Sequence, residues 1–195
     1  MVQKDALIAS GFVAVGTSMG GTKALQVLLP ALPRNFPATL TVVLHRGSGS
    51  DASLIHFLQK YCLLPVEEAQ DKTPIQPGHV YIAPADYHLL VEDNHFALTT
   101  DEVVSFARPS IDVLFESAAQ AYGERSVGII LTGAGRDGAR GLTAIKRCGG
   151  LTVVQTPTTA ERADMPSAAV ATGMADEVMP LEEIVPFLLQ RRSWD

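Results

Sequence analysis

Phe12-Val13-Ala14-Val15-Gly16-Thr17-Ser18-Met19-Gly20-Gly21-Thr22-Lys23-Ala24-Leu25 decides the fold. It reads as a short apolar strand, a glycine-flanked turn, and a helix from Met19 to about Leu29 that Pro30 and Pro33 stop. Leu40–Leu44 is the next apolar strand. Ser50 stands where an N-cap would start a helix with Leu54, Ile55, Phe57 and Leu58 on one stripe. Strand, helix, strand, helix predicts parallel βαβ units with right-handed crossovers, so the fold class is α/β.

The middle of the chain reads differently. His79–Ala83, Tyr87–Glu92 and His95–Thr99 are short strand segments, and the turn signal Asp93-Asn94 predicts an antiparallel hairpin between the last two. Ser110 has the position of an N-cap for a helix through Val113, Leu114 and Ala118. Ser126–Gly133 is almost wholly apolar, as a strand buried on both faces should be. A helix over Ala139–Arg147, closed by Gly149-Gly150, leads to a strand at Leu151–Gln155. A short helix around Ser167–Thr172 and a last one from Leu181 to Arg191 complete the pattern, with no internal repeat or linker.

Composition bounds the partners. With 195 residues, 47% hydrophobic and 18% charged, the chain suits one globular domain and not a disordered segment. A net charge of −6 with no basic stripe argues against nucleic acid and gives no attraction to anionic membranes. No apolar run approaches the roughly 20 residues of a membrane span, so no membrane insertion is expected. Met1 to Ser10 shows no clear cleavage signal. Cys62 and Cys148, the only cysteines, lack metal-site spacing and read as two reduced buried thiols of a cytoplasmic protein.

Three residues each follow an apolar run: Ser18, His45 and Asp137. In an open parallel sheet the carboxyl ends of the strands form the ligand crevice. A serine, a histidine and an aspartate brought to that edge are the parts of a nucleophilic hydrolase, with nucleophile, general base and orienting carboxylate. Gly16-Thr17-Ser18-Met19-Gly20 also spells G-x-S-x-G, a nucleophile elbow in a strand-to-helix turn. From that segment alone an N-cap is the commoner use of such a serine, and both readings stand. The chain order Ser, His, Asp is not that of the α/β-hydrolases.

Two nucleotide readings fail on spacing. Gly16 and Gly21 suit a P-loop, but Thr22-Lys23 reverses the required Lys-Thr order. Gly133-Ala134-Gly135-Arg136-Asp137-Gly138 spells G-x-G-x-x-G, yet no carboxylate ends the next strand, as NAD binding would need. For Asp137 itself, an N-cap of the Ala139 helix is compatible with an orienting role. His56, His79, His88 and His95 read as surface or satisfied structural residues. Arg46, Arg136 and Arg140 flank the three residues, either as solvated surface charge or as contacts for carboxylates near a substrate.

Gly16-Thr17-Ser18-Met19-Gly20-Gly21-Thr22, His45, Pro77-Gly78-His79-Val80-Tyr81-Ile82-Ala83-Pro84, Arg108-Pro109-Ser110-Ile111-Asp112-Val113-Leu114-Phe115 and Leu131-Thr132-Gly133-Ala134-Gly135-Arg136-Asp137-Gly138-Ala139 together resemble the catalytic domain of the chemotaxis protein-glutamate methylesterases (CheB). The resemblance runs from about Phe12 to Leu189. It implies a doubly wound, mainly parallel sheet flanked by helices, with an antiparallel hairpin. It implies Ser18 as nucleophile, His45 as base and Asp137 as its orienter, with backbone amides near His45 and Ala134 as candidates for the oxyanion hole. The implied reaction is demethylation of glutamyl methyl esters on chemotaxis receptors, often with deamidation of receptor glutamines, using no metal or organic cofactor.

The chain departs from that family at several positions. Thr17 and Met19 replace the usual alanine and threonine, Arg46-Gly47 replaces Met-Pro, and Ala134 replaces methionine. The family's receiver domain, which blocks the site until phosphorylated, has no counterpart in residues 1–195. A single catalytic domain is therefore expected, free-standing or excerpted, with a separate response regulator as a candidate partner. An esterase on another substrate and an inactive binding module of the same fold are the competing readings.

Overall fold

A computed structural model describes residues 10–45, 51–92 and 94–191. In chain order the elements are β1 (Phe12–Thr17), α1 (Gly21–Leu28), β2 (Thr39–Leu44), α2 (Asp51–Gln59), β3 (Val66–Glu68), β4 (Val80–Ile82), β5 (His88–Glu92) and β6 (His95–Thr99). There follow α3 (Ile111–Tyr122), β7 (Ser126–Ile130), α4 (Ala139–Arg147), β8 (Leu151–Gln155), α5 (Asp164–Ala171), β9 (Glu177–Met179) and α6 (Leu181–Leu189). Among the described residues seven strands form one parallel sheet in the order β3-β4-β2-β1-β7-β8-β9, and β5 pairs with β6 as an antiparallel hairpin.

The sheet is covered on both faces, and alternation along β1 shows how. Val13 and Val15 enter a core with Leu25, Leu28, Leu58, Ile184 and Leu188, from α1, α2 and α6. Phe12 and Ala14 enter the other core with Ile111, Phe115, Leu142, Ile145 and Met165, from α3, α4 and α5, which the hairpin's Leu89, Val91 and Phe96 complete. Burying each such large apolar side chain stabilises by about 1.5–3 kcal/mol. With both faces buried, β1, β2 and β7 have no exposed positions, which is why they read as mainly apolar runs; Thr39 and Thr41 at the start of β2 are buried too.

Several boundaries move. The first helix begins at Gly21, two residues later than Met19, and passes into a 3₁₀ turn at Leu29–Ala31 that carries Pro30 at its start. The apolar run from Ser126 leaves the sheet at Ile130, because Thr132 and Gly133 turn to bond other loops. The short helix starts at Asp164, ahead of Ser167, and the last ends at Leu189. β3 and β9 were not foreseen; each is three residues long, at a sheet edge, and carries glutamate. Both cysteines are free; Cys62 is buried as expected, but Cys148 is exposed, because it stands at the C-terminal end of α4. Ser50 and Asp93 lie outside the described residues. No helix is long and apolar enough to cross a membrane among those described.

Candidate active site

β1 lies between β2 and β7, and the three strands finish together. Thr17 is level with Leu44 and Gly16 with Ile130. The residues that follow, Ser18, His45 and the turn leading to Asp137, therefore emerge at one rim of the sheet, where β1 hands the chain to opposite sides.

Main-chain bonds fix Ser18. Its N–H donates to Thr132 O at 3.1 Å, and its carbonyl accepts Gly21 N–H at 2.8 Å. Thr17 Oγ1 donates to the same Thr132 carbonyl at 2.8 Å, and Thr132 Oγ1 donates to Met19 O at 3.0 Å. Thr132 N–H is in turn held by buried Gln155 Oε1 at 2.8 Å. Gly133 permits this approach, since a Cβ there would stand 2.9 Å from Ser18 Cβ. The N-cap of α1 is Gly20, at φ +82° and with no side-chain cap, so Ser18 does not serve as an N-cap. Ser18 is half-buried and Met19 beside it is exposed.

His45 follows β2 directly, and its N–H donates to Thr17 O at 2.9 Å, extending the β1–β2 ladder by one rung. Its ring Nε2 lies 2.9 Å from Asp137 Oδ2, with the N–H direction off the line of contact. Nδ1 is then the ring nitrogen left to face a nucleophile. Among the described residues no hydrogen bond joins Ser18 Oγ to the ring; such bonds often tighten only when substrate is bound.

Asp137 is 4% exposed, and its carboxylate collects donors. Oδ1 accepts from Ser110 Oγ at 2.9 Å and from Asp112 N–H at 3.1 Å; Oδ2 accepts from Ile111 N–H at 2.7 Å. Burial pushes this carboxyl up, but His45 and the two amides outweigh it and hold the group below the usual carboxylate range. Asp137 does not cap its own helix. Gly138 takes that position in α4, and Asp137 caps the first turn of α3 instead.

The reverse also holds. Asp112, in the first turn of α3, accepts Gly138 N–H at 2.9 Å and Gly141 N–H at 2.8 Å, capping α4. Each helix start thus takes its cap from the other's carboxylate, and both carboxylates sit where helix dipoles favour negative charge. Asp112 is raised from the ordinary range, by burial first and by the Asp137 charge, against the pull of the Gly141 and Gly138 amides. Ser110 likewise makes no cap bond within its own helix. Its hydroxyl is spent on Asp137, and its N–H donates to Nδ1 of buried His88 at 3.2 Å.

Asp112 and Ser110 are the site residues whose part the sequence reading missed. One signal was present: Asp112 shares a helical face with Phe115 and Ala119, so a carboxylate was aimed at the core. His88 is a satisfied structural histidine, as expected, although it belongs to this network. Arg140 is committed to Glu116 at 2.6 Å, with Asp112 at 3.9 Å; Arg136 is exposed, and Arg46 lies outside the described residues. The His45 amide is used by Thr17 O, and the amides that follow it lie outside the described residues. No cluster of three or more His, Cys, Asp or Glu able to hold a metal occurs among the described residues.

Known proteins share this architecture. The family model described as CheB methylesterase matches residues 13–188. A Leptospira interrogans relative is 45% identical over 91% of this chain and 93% of its own length. The protein-glutamate methylesterase/protein-glutamine glutaminase of Moorella thermoacetica is 42% identical over 91% of this chain but only 43% of its own length. The crystal structure of the Thermotoga maritima CheB methylesterase catalytic domain matches with a TM-score of 0.90 at 34% identity, covering 93% of this chain and 98% of that one. A doubly wound sheet ending at this rim, the sequence match along most of its length and the superposition on a solved catalytic domain agree: the chain belongs to the CheB methylesterase family.

Proposed function

We propose that this chain is a protein-glutamate methylesterase that also deamidates glutamine, acting in the cytoplasm on chemotaxis receptors. The observation that carries the reading is the 2.9 Å approach of Asp137 Oδ2 to His45 Nε2, at the end of a strand adjacent to the one that delivers Ser18. Relatives named for these activities support the substrate class.

In this reading His45 Nδ1 takes the proton of Ser18 Oγ as the oxygen attacks the ester carbonyl. Asp137 holds the ring orientation and stabilises the imidazolium. The tetrahedral intermediate collapses, His45 returns the proton to the leaving methoxide, and methanol departs. Water, deprotonated by the same ring, then hydrolyses the acyl-enzyme to free glutamate and restores Ser18. The Ser18 amide cannot serve the oxyanion, because it is donated to Thr132 O. The Ala134 amide donates to no protein acceptor among the described residues and is the candidate donor. Asp112 acts as a positioning residue, fixing the turn that presents Asp137. Residues 1–195 form one catalytic domain in this reading, and a separate response regulator is its candidate partner.

Methanol release from a methylated receptor tests the proposal. The unaltered protein should release it, Ser18→Ala should lose at least about 10⁴-fold in kcat, and a serine-directed phosphonate should label Ser18. Hydrolysis of small esters without receptor turnover would assign another substrate, and absence of both reactions and of labelling would leave a binding module.

A further inference from the structure

Residues 100–109 join the hairpin to α3 and form a rigid loop with two apolar side chains turned outward. Arg108 Nη1 donates to Thr100 O at 2.7 Å and Asp101 O at 2.9 Å, and His88 Nε2 donates to Glu102 O at 3.0 Å. Val104 and Ala107 exchange both backbone hydrogen bonds, at 3.1 and 2.9 Å, closing a two-residue turn over Ser105 and Phe106. Both turn residues have positive φ, +53° and +63°. That geometry suits glycine or asparagine, and here it is imposed on a serine and a phenylalanine. Phe106 is wholly exposed (102%) and Val103 is 59% exposed.

A single exposed apolar side chain needs no explanation. This one stands on a strained, pinned turn that gains nothing from it in packing. The turn is also joined to the site: Ser105 Oγ donates to Asp112 Oδ2 at 3.4 Å, and the other oxygen of Asp112 caps the turn carrying Asp137. Rigidity of this kind lowers the ordering cost of binding, and aromatic anchors dominate protein interfaces.

We infer that Phe106, with Val103 beside it, docks the protein substrate, taking an apolar side chain that flanks the esterified glutamate. This rests on the proposed methylesterase reading and adds the surface that selects a protein over a free ester. The exposed carboxylates of Asp101 and Glu102 on the same loop disfavour an acidic neighbour at that position.

Kinetics of Phe106→Gly and Val103→Ser on a methylated receptor fragment and on p-nitrophenyl acetate test it. With Phe106→Gly, kcat/KM on the receptor should fall about tenfold through KM, while the acetate rate moves less than about twofold, as expected for an ester too small to reach the loop. Val103→Ser should lower receptor kcat/KM less, in the same sense. Glycine also relieves the positive φ, so Tm should rise by about 2 °C as receptor affinity drops. Equal receptor KM for Phe106→Gly and the unaltered protein would overturn the docking role alone. Failure of the unaltered protein to demethylate receptor, with acetate turnover intact, would overturn the methylesterase reading and the docking role with it.

Discussion

Ser18 is held by main-chain bonds and left half-open, whereas Asp137 is held by donors from another helix and closed off from water. The turn that carries Ser18 is stitched to Thr132, whose hydroxyl and carbonyl reach Thr17, Ser18, Met19 and Arg162. The carboxylate's turn is stitched to α3 by the exchanged caps of Asp112 and Asp137. In the proposed reading a substrate has to touch the first group, and its supports lie beneath it. In that reading the second acts through the His45 imidazole, and its charge gains strength from exclusion of water. The two sides should therefore fail differently when altered.

The largest effect belongs to the buried side. Asp137→Asn should lower kcat about 10⁴-fold with KM little changed, because a carboxamide does not fix the ring as a carboxylate does. Retained kcat would mean that the 2.9 Å contact orients nothing. Asp112→Ala comes next. It strands the Gly138 and Gly141 amides, so stability should fall by about 2–4 kcal/mol in urea titrations, with a drop in kcat as the Asp137 turn loosens. An unchanged midpoint would show that the exchanged caps hold nothing. On the Ser18 side, Thr132→Val removes the acceptor of Arg162 N–H and the donor to Met19 O and should cost about 1–2 kcal/mol. The acetate rate then tells whether Ser18 needs that support.

Acid titration gives the smallest effect, and the two carboxylates contribute with opposite sign. Asp137 sits below its unfolded value, so its contribution is complete above the usual carboxylate range of about 3.9 and is lost as pH falls through its native value. Asp112 sits above its unfolded value, so the native state gains relative stability as pH falls through that raised value. Urea unfolding at stepped pH should show Asp137→Asn with a shallower acid-side decline than the unaltered protein. An unchanged decline would remove Asp137 from the acid response.

The sheet's centre and the three rim residues were legible because β1, β2 and β7 are buried on both faces and end abruptly at glycine or polar residues. β3 and β9 were not, since three residues at an edge carry too little pattern and are placed by their neighbours. Ser110 looked like an ordinary cap and Asp112 drew no reading of its own, because their partners lie 25–29 residues away. Helix propensity is local, and which helix start faces which is a tertiary fact. The loop at Phe106 was missed for the converse reason, since Ser-Phe is a poor turn pair and the fold imposes its conformation.

The exchange of caps between α3 and α4 has a dynamic consequence. Neither helix end can fray alone, since releasing Asp137 frees the Ile111 and Asp112 amides and releasing Asp112 frees those of Gly138 and Gly141. In deuterium-labelling experiments these four protons should exchange as one cooperative unit. A sub-global opening of that unit would silence the enzyme while the rest of the sheet stayed intact.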